Sequence, residues 1–425
     1  MRNKRGIGAG MDQSNNSPAA LYAERKQRLL DQVALKETDR VPFVFGTRFW
    51  TAKFAGITFE EQMYDADKAA AAFEKAVLWL EPDGYAPTLN TYGPTLEALD
   101  YRLFKWPGHG TGKNATFQYL DREYMPATEY DEYLLDPTGY YFRKYLPRAG
   151  GAFEGLANLP DFPSLSEWRF VANMRAFANP ALRASLMRLL EAGERAEHLV
   201  QKTITLAKKM AVLGFPSVGG GFCKAPYDHV TDFLRGSKGG MLDMFRNRDK
   251  LLETIDKAGE LLMHGVVEET RAGGTPYVFI PLHWGLDGFM SPDNFKTFYW
   301  PGLRKMILHL IACDLIPVVF WEGNCSSRLA HIGDIPRGKA VYWFEQTDLV
   351  RAKAVLGGTV CLRGNVPTSL LVTGTPDDVD QYCKRLIEEV GRGGGFVLDG
   401  AASIPDEARP ENVLAMAKSV HKYAH

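Results

Sequence analysis

From about residue 200 onward, short apolar segments alternate with longer segments of helical periodicity. Between Leu251 and Val266 apolar residues recur at i, i+3, i+4 and i+7, which predicts an amphipathic helix. A short apolar run, 277–280, follows and predicts a strand. Strands that alternate with helices pair in parallel through right-handed crossovers, as in barrels and in doubly wound sheets. Further strands are predicted at 41–45, 317–321, 340–344, 360–362 and 396–398, and further helices at 22–36, 293–312, 376–390 and 411–423.

Polar residues at the ends of the predicted strands favour a barrel over an open sheet. Each lies one to three residues past an apolar strand. In a parallel α/β barrel these positions share one face and point toward one axis, the usual location of catalysis. We therefore predict a (β/α)₈ TIM barrel with an N-terminal extension. The residues are His283, Glu322, Glu345, Arg363, Asn365 and Asp399.

The domain organisation follows from length and composition. A chain of 425 residues suits two ordinary domains or one large barrel with insertions, and no low-complexity linker divides it. We predict a disordered tail over 1–20 and a single barrel domain over 21–425. A tyrosine-rich segment around 119–160 is inserted in it. That segment either crosses the barrel mouth or packs as a surface loop, and the sequence leaves both readings open.

Charge and cysteine usage exclude several classes of protein. A formal net charge of −1 argues against a nucleic-acid or membrane-surface protein. The most apolar stretch, 306–320, is interrupted by His309, Asp314 and Pro317, so it is not a membrane span. Five scattered cysteines without a CxxC pair indicate neither a disulfide framework nor a zinc ribbon. We expect a cytoplasmic protein without nucleic-acid or membrane partners.

Two carboxylates have unusual sequence neighbours, because Glu322 and Glu345 each follow a pair of aromatic residues. A carboxylate in such surroundings should have a raised pKa, as a general acid needs, or bind a metal. With His283 and Asp399 they form a hard nitrogen and oxygen ligand set that suits zinc, and iron or manganese would also fit. Any one of these residues alone would more often cap a helix or form a salt bridge. The set favours a catalytic role for Glu322, Glu345 and Asp399.

Short motifs in the C-terminal third resemble a known family. They are GNVP at 364–367, GTPDDV at 374–379, GGF at 394–396, IP at 404–405 and ENVLAM at 411–416. In this order they resemble the end of proteins of the uroporphyrinogen decarboxylase superfamily. The upstream segments GGFCKAPYDHVTDFLRGSKGGMLDMFRN and GFMSPDNFKTFYWPGLRKMI are similar as well. The resemblance covers about residues 210–423 well and 22–110 loosely. It implies the barrel but not one reaction.

Two branches of the superfamily must be separated. True uroporphyrinogen decarboxylases carry an arginine-rich segment near the N-terminus that binds the substrate carboxylates. The corresponding stretch here is VFGTRFWTAKFAG, with Arg48 as its main cation. One guanidinium is too few to bind a substrate with eight carboxylates. This branch is therefore disfavoured.

The other branch contains the corrinoid-linked methyltransferases. Their zinc site uses a His-x-Cys pair after one strand, often a glutamate after the next, and a later cysteine before an IP turn. Against that pattern, Phe320 falls at the histidine and Glu322 at the first cysteine. Glu345 falls at the glutamate, and Ala402 replaces the late cysteine. One of the four ligand positions matches the family pattern and three depart from it. A carboxylate in place of a thiolate makes a harder ligand set, which is better suited to an oxygen substrate than to a thiol.

The resemblance implies a methyltransferase that moves a methyl group between a small substrate, such as an aryl ether, and a corrinoid on a separate protein. The zinc ion that the resemblance implies would polarise the oxygen. The alternatives are a metal-free decarboxylase or lyase, in which Asp399 or a glutamate acts as general acid, and a non-catalytic binding barrel. A homodimer is possible. Substrate contacts are expected from Arg48, Trp284, Trp321, Asn324, Arg363 and Asn365.

Overall fold

The computed structural model describes residues 17–87, 89–166 and 168–424. In this part of the chain eight parallel strands form the core, and each predicted strand lies within a few residues of an observed one. Three further short strands, Phe104–Pro107, Gly110–Thr111 and Gln118–Tyr119, lie outside the barrel. The barrel strands are β1 (Val44–Phe45), β2 (Gly84–Tyr85), β3 (Gly221–Phe222), β4 (Tyr277–Leu282), β5 (Ile316–Trp321), β6 (Val341–Phe344), β7 (Cys361–Val366) and β8 (Phe396–Gly400).

The sheet closes on itself. Strands β3 to β8 are neighbours in chain order, and β1 pairs with β2. Parallel bridges join Phe43 to Leu398 and Tyr85 to Ser217, so β1 reaches β8 and β2 reaches the segment that leads into β3. Backbone hydrogen bonds from Leu398 N to Pro42 O (2.9 Å) and from Val218 N to Tyr85 O (2.8 Å) support both junctions. The predicted (β/α)₈ barrel is confirmed, because closure excludes the doubly wound sheet.

Helices surround the barrel, and several contain π-helical turns at Tyr141–Tyr145, Val230–Arg235, Phe295–Tyr299 and Ile387–Gly391. No helix among the described residues is both long and apolar enough to cross a bilayer. Short 3₁₀ turns lie at Ala127–Glu129, Gly151–Asn158, Phe162–Leu165 and Met174–Ala178. The α-helices are Pro18–Val33, Trp50–Ala55, Phe59–Tyr64, Ala66–Leu80, Gly93–Ala98, Tyr130–Leu135, Pro137–Tyr140, Leu146–Ala149, Phe170–Asn173, Pro180–Val212, Pro226–His229, Gly236–Arg246, Arg248–Ala272, Pro292–Asn294, Trp300–Ala312, Leu349–Leu356, Thr368–Thr373, Pro376–Leu386 and Pro410–Lys422.

The N-terminal helix closes the bottom of the barrel. Its side chains Leu29 and Val33 pack against an apolar layer formed by residues near the beginnings of the strands. Ser17 caps this helix through a hydrogen bond from Ala20 N, so the helix begins at Pro18. The predicted end of the tail at residue 20 therefore falls inside the helix. Residues 1–16 of the predicted tail lie outside the described residues.

The tyrosine-rich segment packs beside β3. The Tyr119 hydroxyl donates to the backbone oxygen of Asp232, and the Tyr141 hydroxyl lies 2.6 Å from Nε2 of His229. Both acceptors belong to the helical turns Pro226–His229 and Val230–Arg235, which follow β3 directly. Burial raises the pKa of Tyr141 well above its usual range and lowers that of His229 to about 4, so this contact is between neutral groups. The segment thus supports the helical turns that carry part of the site.

Candidate active site

Strand alternation directs a set of polar side chains to the inside of the barrel. Residues two apart on a strand face the same side. The register pairs Phe320 with Trp343 and Trp343 with Arg363, which places these three side chains in one interior layer. The next interior positions toward the mouth are Glu322 and Glu345. His283 follows β4 in the same way, and Lys224 lies two residues past β3.

Asp232 forms the centre of the site. Its carboxylate accepts hydrogen bonds from Nδ1 of His283 (2.7 Å), Nζ of Lys224 (2.8 Å) and Nε1 of Trp284 (2.7 Å). Burial alone would raise the pKa of Asp232, but the His283 hydrogen bond and the Lys224 charge outweigh it and lower the pKa to about 2. Asp232 is therefore a buried anion that orients three donors.

His283 connects this buried anion to the mouth. Because Nδ1 is bonded to Asp232, the other ring nitrogen is free to face outward, and Nε2 lies 3.6 Å from Oε1 of Glu322. Burial and the Lys224 charge act to lower the pKa of His283, yet the Asp232 carboxylate overcomes them and raises it. The ammonium of Lys224 lies beside the ring, 3.1 Å from Nδ1 and 3.3 Å from Nε2.

Glu322 is the carboxyl group that faces His283. Burial raises its pKa, while the charges of His283 and Lys224 oppose that rise. The side chains of His283 and Glu322 are 34% and 35% exposed, so both reach the open end of the barrel. Two groups with raised pKa values that face each other can pass a proton between them near neutral pH.

Asp228 holds the backbone of this site in place. Its carboxylate accepts the backbone N–H of His283 (2.8 Å) and the hydroxyl of Tyr299 (2.8 Å). Burial, together with the nearby Asp232 charge, raises the pKa of Asp228 to about 6. Asp228 thus fixes the backbone position of His283, whereas Asp232 fixes the orientation of its imidazole ring.

Asp399 does not join the cluster at the mouth. It is fully buried, and its Oδ2 accepts Nε (2.8 Å) and a terminal nitrogen (2.6 Å) of Arg363. The Arg363 guanidinium also lies 4.2 Å from the ring centre of Trp343. Burial raises the pKa of Asp399 to about 6, and Arg363 opposes that rise. Asp399 was predicted as a catalytic and metal-binding residue and Arg363 as a substrate contact; the structure pairs these two side chains inside the barrel and does not bring them to the mouth with His283 and Glu322.

Glu345, Asn365 and Asn324 shape the loops around the mouth. Glu345 accepts the backbone N–H of Gly323 (2.6 Å), which fixes the turn after β5. The Asn365 amide donates to the backbone oxygen of Thr347 (2.9 Å). Asn324 is exposed, and its side chain accepts the N–H of Ser326 (3.0 Å) in a local turn. These contacts support the walls of the site rather than its proton-transfer pair.

Trp321 faces away from the barrel axis. Neighbouring residues on a strand point to opposite sides, so Trp321 must face outward if Glu322 faces inward. The indole is fully buried among the surrounding helices and stacks on Phe344 at a ring distance of 6.2 Å. The structure therefore does not bring Trp321 together with the other residues predicted to contact substrate. Trp284, in contrast, lies at the site through its bond to Asp232.

Arg48 offers a free positive charge at the mouth. The residue is exposed, and its backbone oxygen accepts the amides of Gln62 (2.9 Å) and Asn90 (2.6 Å). Its charge is one of those that lower the pKa of Glu322 against the effect of burial. In the described ranges the guanidinium has no hydrogen-bond or ion-pair partner. Arg48 is therefore available to an anionic group of a ligand.

The predicted metal ligands do not assemble into a metal site. Across residues 17–87, 89–166 and 168–424 no three His, Cys, Asp or Glu side chains are grouped so that they could hold a metal ion. His283 and Glu322 are close, but Asp399 is paired with Arg363. The position beside the His283 ring is taken by the Lys224 ammonium, which would repel a second cation. The donor set therefore does not fit zinc.

Sequence reasoning missed Lys224, Asp228 and Asp232. All three lie in the segment GGFCKAPYDHVTDF, where they are spaced four residues apart. Asp228 and Asp232 lie on the helical turns after β3, where that spacing places side chains on one face, and Lys224 lies just before these turns. The spacing was a usable signal, but nothing local indicated that this face meets His283 from the next strand.

Comparisons with known proteins agree with this architecture. The family model for uroporphyrinogen decarboxylase (URO-D) matches residues 175–423. The chain belongs to this family. The superfamily resemblance predicted from the C-terminal motifs is thereby confirmed.

Individual relatives of this URO-D family protein are distant. The uroporphyrinogen decarboxylase of Idiomarina loihiensis is 23% identical over 315 residues, which cover 71% of this chain and 85% of that protein. The uroporphyrinogen decarboxylase of Psychromonas ingrahamii is 26% identical over 211 residues, 48% of this chain and 58% of that protein. A solved structure of a methyltransferase from Methanosarcina mazei has a TM-score of 0.65 at 18% identity and covers 94% of this chain and 99% of that one. That likeness shows a shared fold.

Proposed function

We propose that this protein is a methyltransferase that removes a methyl group from an oxygen atom of a small substrate. The observation that carries the proposal is the pairing of His283 with Glu322 at the mouth, with Asp232 behind His283. A Co(I) corrinoid on a separate carrier protein would supply the nucleophile that accepts the methyl group. The residues of this chain would bind the substrate, orient it and deliver the proton.

Cleavage of an ether requires that proton. When the bond between the methyl carbon and the oxygen breaks, its electron pair stays on the oxygen, and the methyl group leaves for the acceptor. An alkoxide or phenoxide is a poor leaving group unless it is protonated or bound to a cation. Since no three His, Cys, Asp or Glu side chains are grouped among the described residues, we assign this work to a general acid.

Glu322 is the residue that donates the proton. Its raised pKa keeps the carboxyl protonated to higher pH than an exposed glutamate would be. After transfer, Nε2 of His283 can return a proton to Glu322 across the 3.6 Å that separates them. Asp232 stabilises the charged imidazole, and Lys224 keeps Asp232 ionised. The four side chains therefore form a relay that resets the acid after each turnover.

The surroundings favour a flat substrate that carries an anionic group. The Trp284 ring contacts Phe289 edge-on at 4.3 Å, and its indole N–H donates to Asp232, so an aromatic ring is fixed beside Asp232. The free Arg48 guanidinium would bind a carboxylate at the rim. A methoxylated aromatic acid combines both features, and it needs one guanidinium rather than many.

A carboxy-lyase is the second candidate. The named relatives are uroporphyrinogen decarboxylases, and the same groups could serve decarboxylation. Arg48 would then hold the departing carboxylate, and Glu322 would protonate the carbanion that remains. The two reactions differ in their products, so one experiment separates them.

That experiment incubates the purified protein with cob(I)alamin and a set of methoxybenzoates. We expect the hydroxybenzoate product and consumption of Co(I), with no release of carbon dioxide. Glu322→Gln should abolish the product, whereas Glu389→Gln, an exposed glutamate on the helical turn after Leu386, should not. Release of carbon dioxide without methyl transfer would instead establish the lyase.

A further inference from the structure

A surface outside the site combines exposed apolar side chains with arginines. We call it the Trp168 surface and define it by the exposed side chains of residues 168–175 and 183–190. Trp168 is 103% exposed, Val171 68% and Phe170 51%, and Leu190 on the following helix is 65% exposed. They lie on or next to the consecutive elements Phe170–Asn173, Met174–Ala178 and Pro180–Val212, and exposed large apolar side chains that form a patch mark interaction sites.

The arginines of this surface are unpaired. Arg169, Arg175, Arg183 and Arg188 make no hydrogen bond or ion pair through their side chains with any described residue. The stretch 168–190 contains these four arginines and no acidic residue, although the whole chain has a formal net charge of −1. The positive charge of the stretch is therefore not balanced by an acidic residue within it. An acidic surface would complement it.

The Trp168 surface lies on the same side of the barrel as the site. The helix Pro180–Val212 has 33 residues and is about 50 Å long at the usual rise per residue. Its C-terminal end leads into β3, so the helix runs from the mouth side down to the bottom of the barrel. Near its middle, Arg195 donates to the backbone oxygen of Pro94 in the region after β2 (2.9 Å). The turns before Arg195 consequently stand beyond the rim, on the side of His283 and Glu322.

We propose that the Trp168 surface docks an acidic carrier protein that brings the corrinoid to the barrel mouth. This inference rests on the proposed function, because that reaction needs a methyl acceptor that the described part of the chain does not supply. Aromatic residues and arginines are the residue types enriched at protein interfaces. A carrier held at the rim can present its cofactor to the mouth, and it can leave between turnovers.

Other occupants fit the charges less well. A symmetric dimer through this surface would bring the four arginines of one copy against those of the other. Binding to a nucleic acid or an anionic membrane is usually supported by a basic excess over the protein, and the formal net charge here is −1.

The test measures binding and turnover separately. The probes are a purified corrinoid-binding protein from the organism that encodes this chain, loaded with cobalamin, and free cob(I)alamin. The variant replaces all four arginines by glutamate, and a second variant is Trp168→Ala. The matched control is Arg337→Glu with Arg392→Glu, since both arginines are exposed in loops at the opposite end of the barrel.

We expect the four-arginine variant to weaken carrier binding, measured by titration calorimetry, by at least about 10-fold and to remove its salt dependence. Trp168→Ala should weaken it as well, and turnover with free cob(I)alamin should stay at the wild-type level in all variants.

Wild-type affinity in both variants would overturn the docking proposal while leaving the proposed function intact. Self-association, or binding to anionic vesicles or RNA, that is lost in the variants while carrier binding persists would also overturn it. Absence of turnover with free cob(I)alamin and with the carrier would count against the proposed function alone.

Discussion

Asp232 accepts a hydrogen bond from Nδ1 of His283 at 2.7 Å, and this contact turns Nε2 of the ring toward Glu322. A buried carboxylate thereby orients a histidine that reaches solvent. The tautomer, the orientation and the raised pKa of His283 all follow from this one pairing.

Replacing Asp232 by Asn should lower the pKa of His283, because the negative charge that raises it is removed. The alkaline limb of the rate profile should then move to lower pH, and kcat should fall by about 10²-fold. The pKa can be followed by NMR of the imidazole protons. Trp284→Phe is the matched control, since it removes another hydrogen bond to Asp232 without removing the charge. An unchanged His283 titration in Asp232→Asn would contradict this assignment.

Asp228 should make stability depend on pH in an identifiable direction. Its pKa is raised in the folded protein to about 6, so the folded state binds its proton more tightly than the unfolded chain does. Its contribution to the free energy of unfolding therefore falls as pH rises from about 4 to about 6. Asp228→Asn should lose this dependence. Denaturant titrations of both proteins at several pH values give the difference, and parallel curves would refute the prediction.

Zinc should not bind at the mouth with one-to-one stoichiometry. The Lys224 ammonium lies next to both nitrogens of the His283 ring, and no third ligand joins His283 and Glu322 among the described residues. We expect far less than one zinc per chain by mass spectrometry after the protein is loaded with the metal and desalted. One zinc per chain that disappears in His283→Ala would show that Lys224 moves aside for a metal.

The buried pair of Arg363 and Asp399 should matter for stability. Arg363→Met leaves the Asp399 carboxylate buried without a partner, which should lower the free energy of unfolding by about 3–5 kcal/mol. The double variant Arg363→Met with Asp399→Leu should recover most of that loss, because no unpaired charge remains. For comparison, breaking the exposed pair of Arg304 and Asp334 should cost less than about 1 kcal/mol. Urea denaturation of the wild-type protein, the two variants of the buried pair and a variant that breaks the exposed pair measures these free energies of unfolding.

Much of the barrel could be predicted from local pattern. The strand predicted at 317–321 is observed as Ile316–Trp321, and the helix predicted at 376–390 is observed as Pro376–Leu386 with a π-helical continuation. These elements are set by apolar periodicity, caps and prolines, which act over a few residues. The outward direction of Trp321 was also predictable, because strand alternation is a local property.

The site was predictable only in part. Placing His283 and Glu322 at one end of the barrel required only that both follow strands of a parallel sheet. Their chemistry depends on partners distant in the chain: Asp232 and Lys224 come from the segment after β3, more than fifty residues before His283. Asp399 resembled the other strand-end carboxylates in sequence, yet the register of β7 and β8 places it against Arg363.

The sequence by itself determined the alternation of strands and helices, and with it the fold and the end of the barrel where polar side chains collect. The tertiary structure alone decided which of those side chains are paired and which face the mouth. The physical reason is that periodicity acts between neighbours along the chain, whereas the pKa and the partner of a buried charge depend on groups that closure of the barrel brings within about 4 Å.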